Sequence, residues 1–256
     1  MKFAVRTHTG LVRERNEDAV LALPALGLFM VADGMGGHDF GAEASGIAVE
    51  RVRREVERAS KTLDLDGMAQ VLEQALHASH DDIVSFSRQR AAGQTMGTTA
   101  TVVWLRYGRA AVGHVGDSRL YRLRQGSLEQ LTRDHTLIQD AMDMGRISAE
   151  QAEDSPYRNV LSRALGSEGR SQPDIFTLDL MPDDLLLLCT DGLDKVLSDA
   201  EITAVLACPG TDLQNRAAML EEMALARGGP DNISLILVEE APEDSFHQAE
   251  APVQAN

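Results

Sequence analysis

Leu28-Phe29-Met30-Val31-Ala32-Asp33-Gly34-Met35-Gly36-Gly37 poses the central problem of this chain. The uninterrupted apolar run reads as a strand buried on both faces, because a strand with one solvated face would alternate. It then delivers an aspartate. A carboxylate at the mouth of a buried strand is costly unless positive charge meets it. The oddity recurs where Leu185-Leu186-Leu187-Leu188-Cys189-Thr190 runs into Asp191-Gly192, and where Gly228-Gly229-Pro230 delivers Asp231-Asn232 into the apolar run Ile233 to Val238. One Asp-Gly step is ordinary turn chemistry. Three such acids converge on one end of a sheet if their strands are neighbours, and clustered hard oxygens suit Mg²⁺ or Mn²⁺. Gly34 lets a backbone carbonyl approach closely enough to join them.

Around these strands the pattern is mixed. Phe3 to Val5, Thr98 to Leu105, Ala110 to Val115, Leu120 to Leu123, Leu128 to Leu131, Phe176 to Leu180, Asp184 to Thr190 and Asn232 to Glu239 read as strands, those from Thr98 to Leu131 as one antiparallel meander. Helices are expected from Ala42 to about Ser60, along the stripe Met68, Val71, Leu72, Ala75, Leu76, Ile83 and Phe86 that Gly93 ends, and over Ser198 to Ala207 and Leu213 to Arg227. Residues 137–165 read as a surface excursion, and 240–256, rich in Pro, Ala and acids, as a disordered tail after a single domain over 1–239. Strands and helices without strict βαβ alternation imply an α+β fold, antiparallel sheets with helices packed outside.

Composition narrows the function. The 256 residues are 43% hydrophobic and 25% charged, ordinary for a globular chain, and 24 Lys and Arg against 40 Asp and Glu leave a net charge of −16. Such a surface repels phosphate backbones, so nucleic acid is not an expected partner. Neither a signal peptide nor a membrane-spanning run is visible, and Cys189 and Cys208 are too few for a disulfide framework; both point to the cytoplasm. Gly34, Gly36 and Gly37 miss the dinucleotide pattern, whose sixth position would be Asp39.

The N-terminal segment Gly10 to Asp18 adds the adjacent acids Glu17 and Asp18, further candidate ligands, and Arg13, whose planar fork suits a pair of phosphate oxygens. Arg13-x-x-Asn16-Glu17-Asp18, Asp33-Gly34-Met35-Gly36-Gly37, Gly97-Thr98-Thr99, Gly116-Asp117-Ser118-Arg119, Thr190-Asp191-Gly192-Leu193 and Gly229-Pro230-Asp231-Asn232 stand in the order and spacing of the metal-dependent protein phosphatases. The chain resembles the protein phosphatase 2C (PPM) family, in its bacterial form, from about Met1 to Val238.

The resemblance implies a four-layer α-β-β-α fold: a β-sandwich of two antiparallel sheets flanked by helix pairs, with 137–165 as a flap. It implies a protein-serine/threonine phosphatase using two Mn²⁺ or Mg²⁺ ions on phosphorylated proteins, opposing a bacterial Ser/Thr kinase, as a cytoplasmic monomer. Asp33 would bridge the ions, with Asp191 and Asp231 completing the first site and the Gly34 carbonyl serving the second. Glu17 and Asp18 would bind the second ion or hold its waters, Arg13 would grip the phosphate, and Asp117 would reach a third, weaker ion. A non-catalytic phosphoprotein-binding module is the competing class, but a degenerate member should have lost these acids, and Asp33, Asp191 and Asp231 are present.

Two positions depart from the family pattern. Met35 stands where some members carry a histidine that protonates the leaving alkoxide, a task no thioether performs. His38, three residues on, is an alternative acid, and a metal-bound water another. Lys195 stands where members often place an Asp supporting the third ion, and an ammonium repels a cation at short range. Asp194, next to it, would compensate only through a local shift.

Other groups read as structural. His77 and His80 are i,i+3 neighbours on a helix without an evident third ligand, His114 is a core histidine in a strand, and His135 has no assigned chemistry. Cysteine-phosphatase chemistry wants an Arg six residues after the thiol, where Cys189 meets Lys195 and Cys208 meets Gln214.

Overall fold

The computed structural model describes residues 1–36, 40–59, 62–90, 95–153, 155–167, 169 and 171–239. In chain order they form β1 (Lys2–His8), β2 (Asp18–Leu23), β3 (Leu28–Gly36), α1 (Phe40–Arg58), α2 (Leu65–Arg90), β4 (Met96–Thr98), β5 (Ala100–Arg106) and β6 (Arg109–Val115). There follow β7 (Arg119–Arg124), β8 (Ser127–Gln130), α3 (Leu137–Asp143), α4 (Ala149–Glu153), β9 (Asp174–Asp179), β10 (Leu185–Cys189), α5 (Asp191–Asp194), α6 (Asp199–Leu206), α7 (Leu213–Ala226) and β11 (Ile233–Glu239). Gly93, His38 and 240–256 lie outside the described residues.

Two antiparallel sheets result, one in the order β1-β11-β10-β7-β8 and one in the order β2-β3-β5-β6-β9, with β4 on β3. The apolar run of β3 shows why both faces had to be hydrophobic. Phe29 and Val31 point into the layer between the sheets, where they join Val103, Val112, Leu186, Leu188 and Ile236. Leu28, Met30 and Ala32 face the other way, onto Ala44, Ala48 and Val52 of α1 and Leu72 and Leu76 of α2. In the other sheet Leu185, Leu187 and Cys189 pack under Ile202, Leu206, Ala217 and Leu220 of α6 and α7. The layers run helix, sheet, sheet, helix, as expected.

Two features depart from the sequence reading. The segment from Thr98 to Leu131 is not one meander: β5 and β6 belong to one sheet and β7 and β8 to the other, so the chain changes sheets at Gly116-Asp117-Ser118. Gly116 makes that crossing with φ of 106°, a conformation L side chains rarely adopt, and its backbone passes against Thr99. Second, Asp18–Leu23 is a strand, registered so that Asp18 faces Asp33 across the β2–β3 pair. Its period is diluted by the charges before it and by Pro24, but pairing with β3 supplies the partner the sequence does not show.

The described residues of 137–165 form the short helices α3 and α4 and are stitched back to the fold by bridges Thr136–Leu161 and Thr98–Leu165. Among the described residues no helix is long and apolar enough to cross a membrane.

Candidate active site

The candidate acids meet where both sheets end on one rim, and the convergence is between sheets rather than along one. Asp33 lies on β3 of one sheet, Asp191 follows β10 and Asp231 precedes β11 of the other, and Asp117 lies on the crossing between them. The loop from β1 to β2, carrying Arg13, Glu17 and Asp18, crosses the same rim.

Backbone and hydroxyl groups fix each acid. Asp33 is held by its main chain: its N–H donates to Thr99 Oγ1 at 2.9 Å, and its carbonyl accepts from the Thr99 N–H at 2.9 Å and from Thr98 Oγ1 at 2.9 Å. Thr99 Oγ1 in turn shares a hydrogen bond with Ser118 Oγ, 2.6 Å away, beside Asp117. Asp18 Oδ2 accepts from Thr190 Oγ1 at 2.9 Å, linking the two sheets next to Asp191. Glu17 is clamped through its backbone: its N–H donates to Asn232 Oδ1 at 2.8 Å and its carbonyl accepts from Ser45 Oγ at 2.6 Å. Asn232 Nδ2 donates onward to the carbonyls of Thr9 and Arg15, so the side chain beside Asp231 shapes the whole N-terminal loop.

Two glycines are required by contact rather than by turn geometry. A Cβ on Gly192 would lie 1.9 Å from the Asn232 carbonyl oxygen, and one on Gly41 would lie 2.7 Å from Glu17 Cδ. The first permits the approach of Asp191 to Asp231; the second opens the start of α1 to the Glu17 carboxylate. Gly41 and Ser45 escaped the sequence reading because a helix position carries no local sign of what packs on it. The Thr98-Thr99 pair and Asn232 stood inside recognised motifs, but their hydrogen bonds are long-range in sequence.

Acids gathered this closely on a partly buried rim strain one another. Burial pushes the Asp33 carboxyl well above the usual range, and Asp191, Asp18 and Asp117 push it the same way. Asp18 rises to about 7, mainly through burial, with hydrogen bonds from Ser234 and Thr190 opposing and Asp191 and Asp231 adding to the rise. Burial also raises Asp117 and Glu17.

Two side-chain cations answer part of this charge. Arg13 Nη2 donates to Asp231 Oδ2 at 2.7 Å, and Lys195 Nζ bridges Asp191 Oδ2 at 2.6 Å and Asp117 Oδ2 at 3.0 Å. No group of three or more His, Cys, Asp or Glu side chains among the described residues stands ready to hold a metal ion. The residues nonetheless fit a divalent ion. Asp18 Oδ1 and Asp191 Oδ1 are buried without a hydrogen-bond partner among the described residues, and the donor set is all hard oxygen. A cation bound beside Asp33, Asp18, Asp117 and Glu17 would oppose the rise that burial imposes on each of them.

The remaining candidates are structural. Asp194, proposed as a substitute for the missing third-ion acid, is bound instead to Arg119 Nη1 at 3.0 Å. His114 is fully buried, with Thr101 Oγ1 at 3.0 Å from Nδ1 and the Arg133 carbonyl at 3.0 Å from Nε2. His135 accepts from the Gly116 N–H through Nδ1 at 3.2 Å and faces Asp174 through Nε2 at 3.1 Å, so it braces the loop that carries Asp117. His80 Nδ1 accepts from the Gly166 N–H. Cys189 is buried under α7, and burial, reinforced by Asp194, raises its thiol, the reverse of what a nucleophile needs.

Fold and site together define an α-β-β-α sandwich with a cluster of carboxylates at the rim between its sheets. The family model for protein phosphatase 2C matches residues 11–225. Serine/threonine phosphatase stp of Listeria innocua is 34% identical over 237 residues, 91% of this chain and 94% of that protein. The crystal structure of the Mycobacterium tuberculosis serine/threonine phosphatase PstP superposes with a TM-score of 0.85 at 34% identity, covering 94% of this chain and 98% of that one. A structure of the PstP catalytic domain in complex with 2 manganese ions gives a TM-score of 0.82 with the same coverage. The chain belongs to the protein phosphatase 2C family.

Proposed function

We propose that the protein is a serine/threonine protein phosphatase that hydrolyses phosphoserine and phosphothreonine in proteins, using Mn²⁺ or Mg²⁺ held by Asp33, Asp191 and Asp231, with Asp18, Glu17 and the Gly34 carbonyl completing the set. The observation that carries this reading is the pair of orphaned buried oxygens, Asp18 Oδ1 and Asp191 Oδ1, beside the strongly raised Asp33. When bound, divalent ions bring the pKa of water near neutrality and offset charge on the phosphoryl group.

The chain's own part is positioning. Thr98 and Thr99 fix Asp33 through its backbone, and Thr190 engages Asp18 Oδ2, leaving Oδ1 as the oxygen without a hydrogen-bond partner among the described residues. Arg13 is tied to Asp231 by one nitrogen while about half its side chain remains open at the rim, which aims the rest of the fork outward. That half-anchored fork receives two oxygens of the phosphate in a charge-assisted pair. Met35 supplies no proton to the leaving alkoxide, and His38 lies outside the described residues.

Hydrolysis of p-nitrophenyl phosphate and of a phosphothreonine peptide with Mn²⁺, repeated in EDTA, tests the proposal. Activity that survives EDTA overturns the metal reading. Binding of the phosphopeptide without turnover places the protein among non-catalytic modules. Turnover that requires Mn²⁺ supports the proposal and makes a bacterial-type Ser/Thr kinase the expected opposing enzyme.

Arg13→Ala should raise KM about ten-fold or more with a smaller change in kcat, since a charge-assisted hydrogen bond is worth roughly 1.5–3 kcal/mol and about 1.4 kcal/mol is tenfold. Steady-state kinetics on the phosphopeptide decide it. A fall in kcat at constant KM would mean that Arg13 acts on the transition state alone.

A further inference from the structure

Between Asp117 and Asp191 the chain places a cation of its own. Asp191 opens the single turn α5, Lys195 closes it, and the lysine reaches back along the turn with Nζ 2.6 Å from Asp191 Oδ2. The same Nζ lies 3.0 Å from Asp117 Oδ2, across the gap between the sheets. Asp117 is buried on the β6–β7 crossing and makes its ion pair with this lysine.

A divalent ion shared by Asp117 and Asp191 would have to occupy the place of the ammonium, and repulsion forbids both at such range. Asp194, the acid beside Lys195, is not free to serve as a replacement ligand. Asp194 is turned to Arg119 at 3.0 Å, and Arg119 is fixed in turn by Asp134 at 2.7 Å. Lys195 therefore does more than discourage an ion. It holds Asp191 Oδ2, leaves Asp191 Oδ1 without a hydrogen-bond partner among the described residues, and ties the Asp117 loop to the end of β10.

We infer that the Lys195 ammonium permanently replaces a third divalent ion between Asp117 and Asp191, so that the protein binds two ions and orients Asp191 with a cation built into the chain. The inference rests on the reading of Asp33, Asp191 and Asp231 as ligands. Lys195 is a positioning residue, acting through Asp191.

Metal counting tests it independently of activity. The full-length protein is stripped with EDTA, and its Mn²⁺ stoichiometry is measured by native mass spectrometry and isothermal titration, alongside Lys195→Asp, Lys195→Arg and Asp117→Asn. The expected result is two ions in the wild type, the same count in Lys195→Arg and Asp117→Asn, and one additional, weaker binding step in Lys195→Asp. A third ion in the wild type that disappears in Asp117→Asn would overturn the inference, as would an unchanged count in a folded Lys195→Asp protein. If Lys195→Asp fails to fold, the wild type and Asp117→Asn decide the matter alone. A wild type that binds no Mn²⁺ at all would instead sink the reading of the site on which the inference rests.

Discussion

Asp33→Asn should lower kcat/KM on a phosphothreonine peptide by about a thousandfold or more while raising the melting temperature of the metal-free protein. The loss follows from the proposed role. An amide is a poor ligand for a hard divalent ion, several kcal/mol of charge stabilisation depend on the ion, and about 1.4 kcal/mol is tenfold in rate. The gain follows from the same environment without the ion. Asp33 is half-buried, and desolvation together with Asp191, Asp18 and Asp117 holds its carboxyl well above the usual range. Asparagine carries no charge to desolvate, and its amide can donate to a neighbouring carboxylate. Each kcal/mol recovered is worth about 2–4 °C in a protein of this size. Opposed signs distinguish a functional acid from a structural one, because sites kept for activity are commonly strained. A turn-forming Asp33 would give little change in turnover and a lower melting temperature in the variant. Thermal scans in EDTA and steady-state kinetics in Mn²⁺ settle the question on the same preparations.

How much of this was legible from the residues varies with the range of the interaction. Asp33, Asp191 and Asp231 stood out because a charge at the end of an apolar strand is locally anomalous, and their grouping required only that the strands be near one another. That the strands come from opposite sheets was not legible: β3 and β10 carry equally apolar runs, and nothing in either says which neighbour it takes. The crossing at Gly116-Asp117-Ser118 was hidden for a related reason, since a glycine turn between two short strands reads the same whether it closes a hairpin or changes sheets. Lys195 is the informative partial success. Its charge implied incompatibility with a third ion, but only the structure shows that the ammonium is held by Asp117 and Asp191 together, and that Asp194 is committed to Arg119. His135 and Ser45 were out of reach, because each acts on backbone atoms distant in sequence.

Removing the metal should make stability fall as pH rises, and restoring it should flatten that dependence. The sign follows from the carboxyls. Asp18 moves from an ordinary 3.8 to about 7, Asp194 to about 8, and Asp33 well above its ordinary value, each chiefly through burial. Well below the ordinary value of 3.8, folded and unfolded chains both hold these protons, and the groups cost nothing. As pH rises toward 7 and 8 the unfolded chain releases protons that the folded one retains, so unfolding becomes progressively easier. Asp18 alone would account for a few kcal/mol, and coupling to Asp191 and Asp231 spreads that cost over the cluster. Divalent ions bound by the ionised acids reverse the preference: they stabilise the folded state more as ligand protons leave, by an amount set by concentration over affinity. Melting temperatures from about pH 5 to pH 8 should therefore decline by several degrees in EDTA and hold level or rise with saturating Mn²⁺. Parallel curves in the two conditions would mean that the acid cluster is not where the ions bind. A decline that Mn²⁺ removes in the wild type but not in Asp33→Asn would locate the linkage at Asp33, separating it from Asp194, whose partner is Arg119.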